Sequence, residues 1–424
     1  LNQAALKLSA ARQFDRAIEN LEQACELAPD NKTIKTNLVM VMNACAVNAA
    51  NLKNYQLASE MYEKAVAHEE ASYIVHSNYG NFLFDRGRLD EAASSLEKAL
   101  NSPSMKKADE YAIRFTLGGV YMKKGFYDEA INAMEAAATE GKHAGALFLM
   151  GKICYTQGKF QNAIEYLEEA VRSGKGEYAS AAAELLKKVK KEGKVESKFE
   201  SQTLYHFQVQ FDGDKKNDVK VDRVMQLLEE AYNTVGSYFN YYPEVPTPVI
   251  IYSQNQFKEA SGSPVWVAAL YDGKIRLPLN DVAQNADNLK QLILHEYTHA
   301  VIFHVARGRC PVWLNEGFAQ ILEGESLTDV QKANIKKYID KKQAFDMKGL
   351  EGSFMGISPH AAVELAYNQS LSFTNFVIEK AGQSQLIDSL QLLGEGKSMS
   401  EILKENFYTE YKKLQEEWVE QINR

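Results

Sequence analysis

The chain has 424 residues, 45% of them hydrophobic and 25% charged, with a formal net charge of −8. That length exceeds one ordinary core and predicts two or three domains of a soluble globular protein. The acidic balance argues against a nucleic-acid partner, and the densest basic run, KKVKKEGK at 187–194, reads as a solvated helix end.

The chain opens on Leu1 and not Met, so we expect its native start to be missing, which leaves a removed signal peptide or lipid anchor open. No apolar segment reaches the roughly 18 residues that span a bilayer, so no transmembrane segment is expected in this chain. The cysteines are Cys25, Cys45, Cys154 and Cys310, none in C-x-x-C spacing. The first three fall on helical core positions and read as small buried hydrophobes instead of disulfides or metal ligands, leaving the compartment open.

The first half repeats itself. RQFDRAIENLEQACELAPDN, GRLDEAASSLEKALNSP, GFYDEAINAMEAAAT and GKFQNAIEYLEEAV share one pattern. A Gly or polar turn is followed two residues later by an aromatic or Leu, then by Ala, a large apolar residue and a second Ala. The anchor alanines Ala17, Ala58, Ala92, Ala130 and Ala163 are spaced by 41, 34, 38 and 33. Small residues let paired helices approach, and large ones fill the gaps between them.

This pattern resembles the tetratricopeptide repeat, most cleanly in YGNFLFDRGRLDEA (79–92) and LGGVYMKKGFYDEA (117–130). The resemblance implies an all-α solenoid over 1–195, about five repeats and a polar capping helix at Ala179–Lys191. It also implies a protein or peptide partner on the concave face. Asn37, Asn78 and Asn81 fall on first helices. They are either contacts to an extended ligand backbone or ordinary solvated side chains.

KKEGKVESKFE (190–200) has no hydrophobic period and reads as a linker or helix end. SQTLYHFQVQFDG (201–213) alternates like a half-buried strand, and VDRVMQLLEEAYNTVGSYF (221–239) has helical spacing. PTPVIIYS reads as a buried strand, and VAALYDGKIRLPL as two strands about a turn at Asp272-Gly273. Strands followed mostly by helices predict an α+β domain over 200–424.

The stretch LHEYTHAVIFHVARGRCPVWLNEGFAQILEG (294–324) carries the chemistry. Leu289, Leu292, Ile293 and Ile302 place it on a helix that Asp287 or Asn288 can cap. His295 and His299 then lie about 6 Å apart along the axis on one face and can meet one metal ion. Two imidazoles and a carboxylate leave a fourth position for water, beside which Glu296 can act as general base and then general acid.

PVWLNEGFAQILEG resembles the second zinc helix of the gluzincins, and WLNEGFA matches the form seen in the aminopeptidase N family. By that resemblance Glu316 is the third ligand of a Zn2+ ion, although the 16 residues between His299 and Glu316 are slightly fewer than in those aminopeptidases. The G-x-M-E-N segment of those enzymes is missing. In its place WVAALYDGKIRLPLND looks more like the peptidase MA-like domain of the same clan, which implies an endopeptidase or a narrow processing enzyme. We expect the strand Lys274–Leu279 to lie at the sheet edge and to take an extended peptide through Lys274, Ile275, Arg276 and Leu277.

AAVELAYNQSLSFTNFVIEKAG resembles the same family's A-Y-x-x-S-x-x-F-x-x-F helix. Tyr367 is either the donor to the oxyanion or a core tyrosine at helical spacing, and His360 is the other candidate donor. Gln320 is either an orienting partner of a zinc histidine or a plain exposed amide. His304 points away from the site, and Trp313 and Phe318 read as packing. Thr328–Lys342 predicts a helix, KGLEGSFMGISP a loop at the cleft, and SMSEILKENFYTEYKKLQEEWVEQINR two closing helices.

Two readings follow. The first is a gluzincin-type zinc metallopeptidase that hydrolyses peptide bonds, with the repeats recruiting a protein substrate or partner. The second is a non-catalytic interaction scaffold with a zinc-binding, peptidase-like appendage. The full ligand set beside Glu296 favours the first. The resemblance points to a bacterial, exported protein without excluding the cytoplasm.

Overall fold

The computed structural model describes residues 1–138, 143–174, 176–213, 219–261, 270–271, 273–279, 285–354 and 357–423. The chain forms two compact units. One comprises Leu1–Cys154 and Gln161–Leu186, the other Tyr155–Phe160 and Lys187–Arg424. None of the described helices is long and apolar enough to cross a membrane.

The first unit is helical. Its pairs are α1 (Asn2–Ala10) with α2 (Phe14–Leu27), α3 (Lys32–Asn51) with α4 (Tyr55–Val66), and α5 (Tyr73–Arg86) with α6 (Leu89–Leu100). They continue through α7 (Lys107–Lys124) with α8 (Tyr127–Ala138) and α9 (Ala144–Thr156) with α10 (Phe160–Arg172), and α11 (Glu177–Glu196) follows. All five anchor alanines are 0% exposed, as tight pairing of helices requires. In three of the pairs it also sets a glycine of the first helix against a large residue of its partner, Gly151 against Leu167 among them. A Cβ on Gly80 would lie 2.6 Å from Leu96 Cγ, and one on Gly118 would lie 2.7 Å from Met134 Cγ. Asn37 gives its amide to Asn2 at 2.9 Å and Asn78 to Asn43 at 3.1 Å, whereas Asn81 is exposed.

The second unit is built on a mixed sheet of β1 (Phe199–Thr203), β2 (Phe207–Asp212), β3 (Thr247–Ser253), β4 (Leu270–Tyr271) and β5 (Ile275–Leu279). The order is β1-β2-β3-β5-β4, antiparallel at both ends and parallel between β2, β3 and β5. Alternation sends Phe207, Val209, Phe211, Val249, Ile251, Ile275 and Leu277 to one face. There they join α12 (Val219–Phe239) and α14 (Ala286–Ala306) in the main core. The opposite face sets Ile250 and Tyr252 against Val195 of α11 and against Phe257 and Ala260 of α13 (Gln254–Ser261).

The remaining helices are α15 (Val312–Leu322), α16 (Asp329–Asp340), α17 (His360–Ala381), α18 (Gln383–Gly394), α19 (Met399–Asn406) and α20 (Tyr411–Asn423). Thr328 and Gln331 close a reciprocal capping box on α16. All four cysteines are free thiols, with Cys45 and Cys154 buried and Cys25 and Cys310 half-buried.

Several expectations need correction. The single strand expected at 201–213 is a hairpin: the chain turns after Leu204, whose N–H meets the Phe207 carbonyl at 2.8 Å, and β1 starts inside the expected linker. The helix end at 187–194 is only half solvated, because Glu192 is 2% exposed. Asn285, not Asp287 or Asn288, caps α14, accepting the Asp287 N–H at 3.0 Å. The strand holding Lys274, Ile275, Arg276 and Leu277 does not form the sheet edge. It pairs with β3 on one side and at Ile275 and Arg276 with β4 on the other, and all four side chains are buried. Strand order is a non-local property, and the edge position passes to β4. The expected strand residues at 267–269, and Asp272, lie outside the described residues.

Candidate metal centre

The centre is held by two helices joined by a short turn. α14 carries His295 and His299 one turn apart on one face, and their rings stand at 89° with centroids 4.7 Å apart. Arg307 takes a left-handed conformation at φ 53° and closes α14, after which Pro311 starts α15. That turn brings Glu316 over the histidines. His295 Nε2 and His299 Nε2 are 3.1 Å apart, and Glu316 Oε2 lies 3.7 and 3.6 Å from them.

These distances test whether a zinc ion fits. Ligand atoms about 2.0–2.2 Å from a tetrahedral ion are separated by about 3.3–3.5 Å. The three observed separations bracket that spacing. Among the described residues, His295, His299 and Glu316 are the group whose ligand atoms converge in this way. Glu316 Oε2 is buried with no hydrogen-bond partner among the described residues, as an oxygen reserved for a cation would be.

Glu296 points from the same turn and is 4% exposed. Burial raises its pKa, and the neighbouring imidazoles of His299 and His295 pull it back down. For His295, burial opposes the imidazolium. The hydrogen bond to Glu323 and the charges of Glu296, Glu323 and Glu316 outweigh burial and raise its pKa to about 9.

Glu323 is the residue that the sequence reading missed. Its Oε2 lies 2.9 Å from His295 Nδ1, so it fixes the ring and leaves Nε2 facing the cluster. The signal was present, since Glu323 follows Glu316 by seven residues, two helical turns on the same face. Gln320 does not do this work. Its amide donates to the Glu316 and Tyr367 carbonyls at 3.2 and 3.3 Å, tying α15 to α17. Glu323→Gln is therefore expected to weaken zinc binding by roughly 10–100-fold, which a competitive chelator titration would measure. Unchanged affinity would remove Glu323 from the site.

Tyr367 stands on α17 with its ring edge-on to Phe354, centroids 5.4 Å apart. Burial, followed by the charges of Glu316 and Glu296, raises its pKa and keeps its hydroxyl protonated. His360 is the first residue of α17, and its side chain lies outside the described residues. His304 is exposed and takes no part in the cluster. Trp313 and Phe318 are fully buried, and Trp313 Nε1 donates to the Tyr411 hydroxyl oxygen at 3.2 Å.

The sequence model of the Peptidase MA superfamily matches residues 247–424, from the first residue of β3 to the end of the chain. Residues 247–424 are a Peptidase MA superfamily domain. The Peptidase MA domain thus holds all the residues of the cluster, while β1 and β2 precede the match. A tetratricopeptide repeat model matches residues 46–109, and that of subunit 3 of the anaphase-promoting complex, or cyclosome, matches 85–170. The chain therefore joins tetratricopeptide repeats to a Peptidase MA domain.

A curated relative, the STIP1 homolog of Dictyostelium discoideum, is 27% identical over 150 residues, which are 28% of this chain and 27% of that protein. The chain thus spans about a quarter of that relative's length. Solved structures with a likeness include YrrB, described as a TPR protein with an unusual peptide-binding site. It is 21% identical, covering 44% of this chain and 90% of that one, with a TM-score of 0.35. Another is the C-terminal part of a TPR repeat-containing protein from Cytophaga hutchinsonii, 12% identical over 86% and 99% of the two chains, with a TM-score of 0.32.

Proposed function

We propose that the chain is a zinc-dependent metallopeptidase of gluzincin type, an endopeptidase whose repeats recruit a protein substrate or partner. His295, His299 and Glu316 hold the ion. When bound, zinc lowers the pKa of water to about 7 and polarises a carbonyl. Glu296 takes the proton of the attacking water and returns it to the leaving amine. The Tyr367 hydroxyl donates to the oxygen that becomes negative as the carbonyl is attacked. Glu323 keeps His295 in place. An extended peptide would meet β4, because β5 is covered on both sides. The repeats raise the local concentration of whatever they bind, so a weak cleft can still be selective.

The observation that carries this reading is the convergence of three ligand atoms 3.1, 3.6 and 3.7 Å apart, with a buried carboxylate one residue from the first of them. The test is to strip the protein with a chelator, reload it with zinc, and measure metal content and cleavage of a peptide library at each stage. The expected result is one zinc per chain, with cleavage lost on stripping and restored on reloading. One zinc without cleavage of any peptide would favour the scaffold reading. No zinc after loading would sink the ligand assignment.

A further inference from the structure

The second unit includes a segment remote in sequence from the rest of it, Tyr155–Phe160, which runs from the last turn of α9 to the first residue of α10. It lies where the unit buries four charges. On the sheet face away from α14, Lys274 and Arg276 are each 2% exposed, and Glu192 and Glu196 of α11 are 2% and 3% exposed. Arg276 Nη2 donates to the two carboxylate oxygens of Glu192 at 3.2 and 3.1 Å and to the Tyr155 hydroxyl oxygen at 2.7 Å. The Tyr155 hydroxyl donates in turn to Glu192 Oε2 at 2.5 Å. Tyr252 of β3 donates to Glu196, whose other oxygen is 3.8 Å from Lys274 Nζ.

Two buried cations thus face two buried carboxylates. Charges removed from solvent in this way are costly unless their partners are held in place. Tyr155 serves both halves of the network. Its hydroxyl bridges Arg276 and Glu192, and its ring lies 3.9 Å from the Lys274 ammonium, which faces it as a cation over an aromatic. Phe160 offers a second ring, 5.3 Å from the same ammonium. Between them Gly158 adopts φ +73°, and a Cβ there would lie 2.7 Å from Gln210 Nε2 of β2. The left-handed backbone at 158, beside the Gln210 amide, favours a residue without a side chain.

We propose that Tyr155–Phe160 is a peg of the second unit, and that its seating fixes β5 and the β4–β5 hairpin through Arg276 and Lys274. The peg is covalently continuous with α9 and α10. Tyr155 thus positions β5 from 121 residues earlier in the chain, and loss of its hydroxyl loosens that strand.

The test is amide hydrogen exchange on the full chain, which reads no peptidase activity and so stands apart from the proposed function. Tyr155→Phe keeps the ring and removes the shared hydroxyl. It is expected to accelerate exchange in residues 275–279 of β5 by roughly tenfold to a hundredfold, the scale of one hydrogen bond to charged groups, with α3–α6 unchanged. Gly158→Ala, which strains the left-handed turn without touching the network, should give the same local pattern. Unchanged exchange in β5, or acceleration spread evenly over both units, would overturn the proposal.

Discussion

Glu296→Gln is expected to retain one zinc per chain and to lose peptide cleavage by roughly 10²–10⁴-fold, the usual contribution of a positioned acid–base group. The amide keeps the shape of the carboxylate but cannot accept the proton of the attacking water. No metal ligand is lost, since the converging atoms belong to His295, His299 and Glu316. The fold should not suffer either. Burial disfavours the charged form of Glu296, so a neutral isostere removes an unfavourable term, and the thermal midpoint should stay level or rise. Metal analysis and cleavage rates on one preparation decide the matter. Wild-type cleavage by the variant would remove Glu296 from the mechanism.

Gly317→Ala should damage the metal centre without altering any ligand. A Cβ at this position would lie 2.0 Å from Thr374 Oγ1, 2.7 Å from Thr374 Cβ and 2.9 Å from the Ser370 carbonyl oxygen. The Thr374 side chain can turn, but the Ser370 carbonyl belongs to α17 and cannot. α15 must therefore move away from α17, and Glu316, the preceding residue, moves with it. Overpacking of this kind costs about 1–3 kcal/mol, against which the better helix propensity of Ala returns at most about 1 kcal/mol. We expect a lower urea midpoint together with at least a tenfold weaker zinc affinity, since a ligand set tolerates only about 0.5 Å of misplacement. Pairing the change with Thr374→Ala should recover part of the stability. If both midpoint and affinity match the wild type, the α15–α17 contact does not position Glu316.

What could be read from the sequence was what short-range spacing encodes. The repeats were legible because small and large residues recur at fixed offsets, and each anchor alanine is fully buried. The convergence of His295, His299 and Glu316 was legible because the two histidines share one helix face and Glu316 follows after a short turn. Glu323 was missed because a glutamate at the end of a helix ordinarily reads as solvated. Gln320 reads as either a partner of a histidine or an exposed amide, yet it is buried and donates to a carbonyl of α17, which local spacing does not reveal. Lys274 and Arg276 alternate with Ile275 and Leu277 as if facing solvent. Their carboxylate partners lie about eighty residues earlier, in a stretch that reads as a linker. The order of the strands, which moved the sheet edge from β5 to β4, is set by pairing across the chain.

The three converging side chains and the carboxylate that holds His295 all lie between His295 and Glu323, from α14 through the turn at Arg307 to the C-cap of α15. Closing so short a span costs little chain entropy, and doubling its length would add only about 0.6 kcal/mol. Ligation is therefore a contact of low sequence separation in a unit whose sheet depends on distant pairings, such as β2 with β3. Under the proposed function, zinc would be captured by a helical hairpin before the strands have found their order. Once bound, it restricts the chain from which the sheet must still assemble. Metal supply would then bear on how fast the unit folds as well as on how firmly it holds.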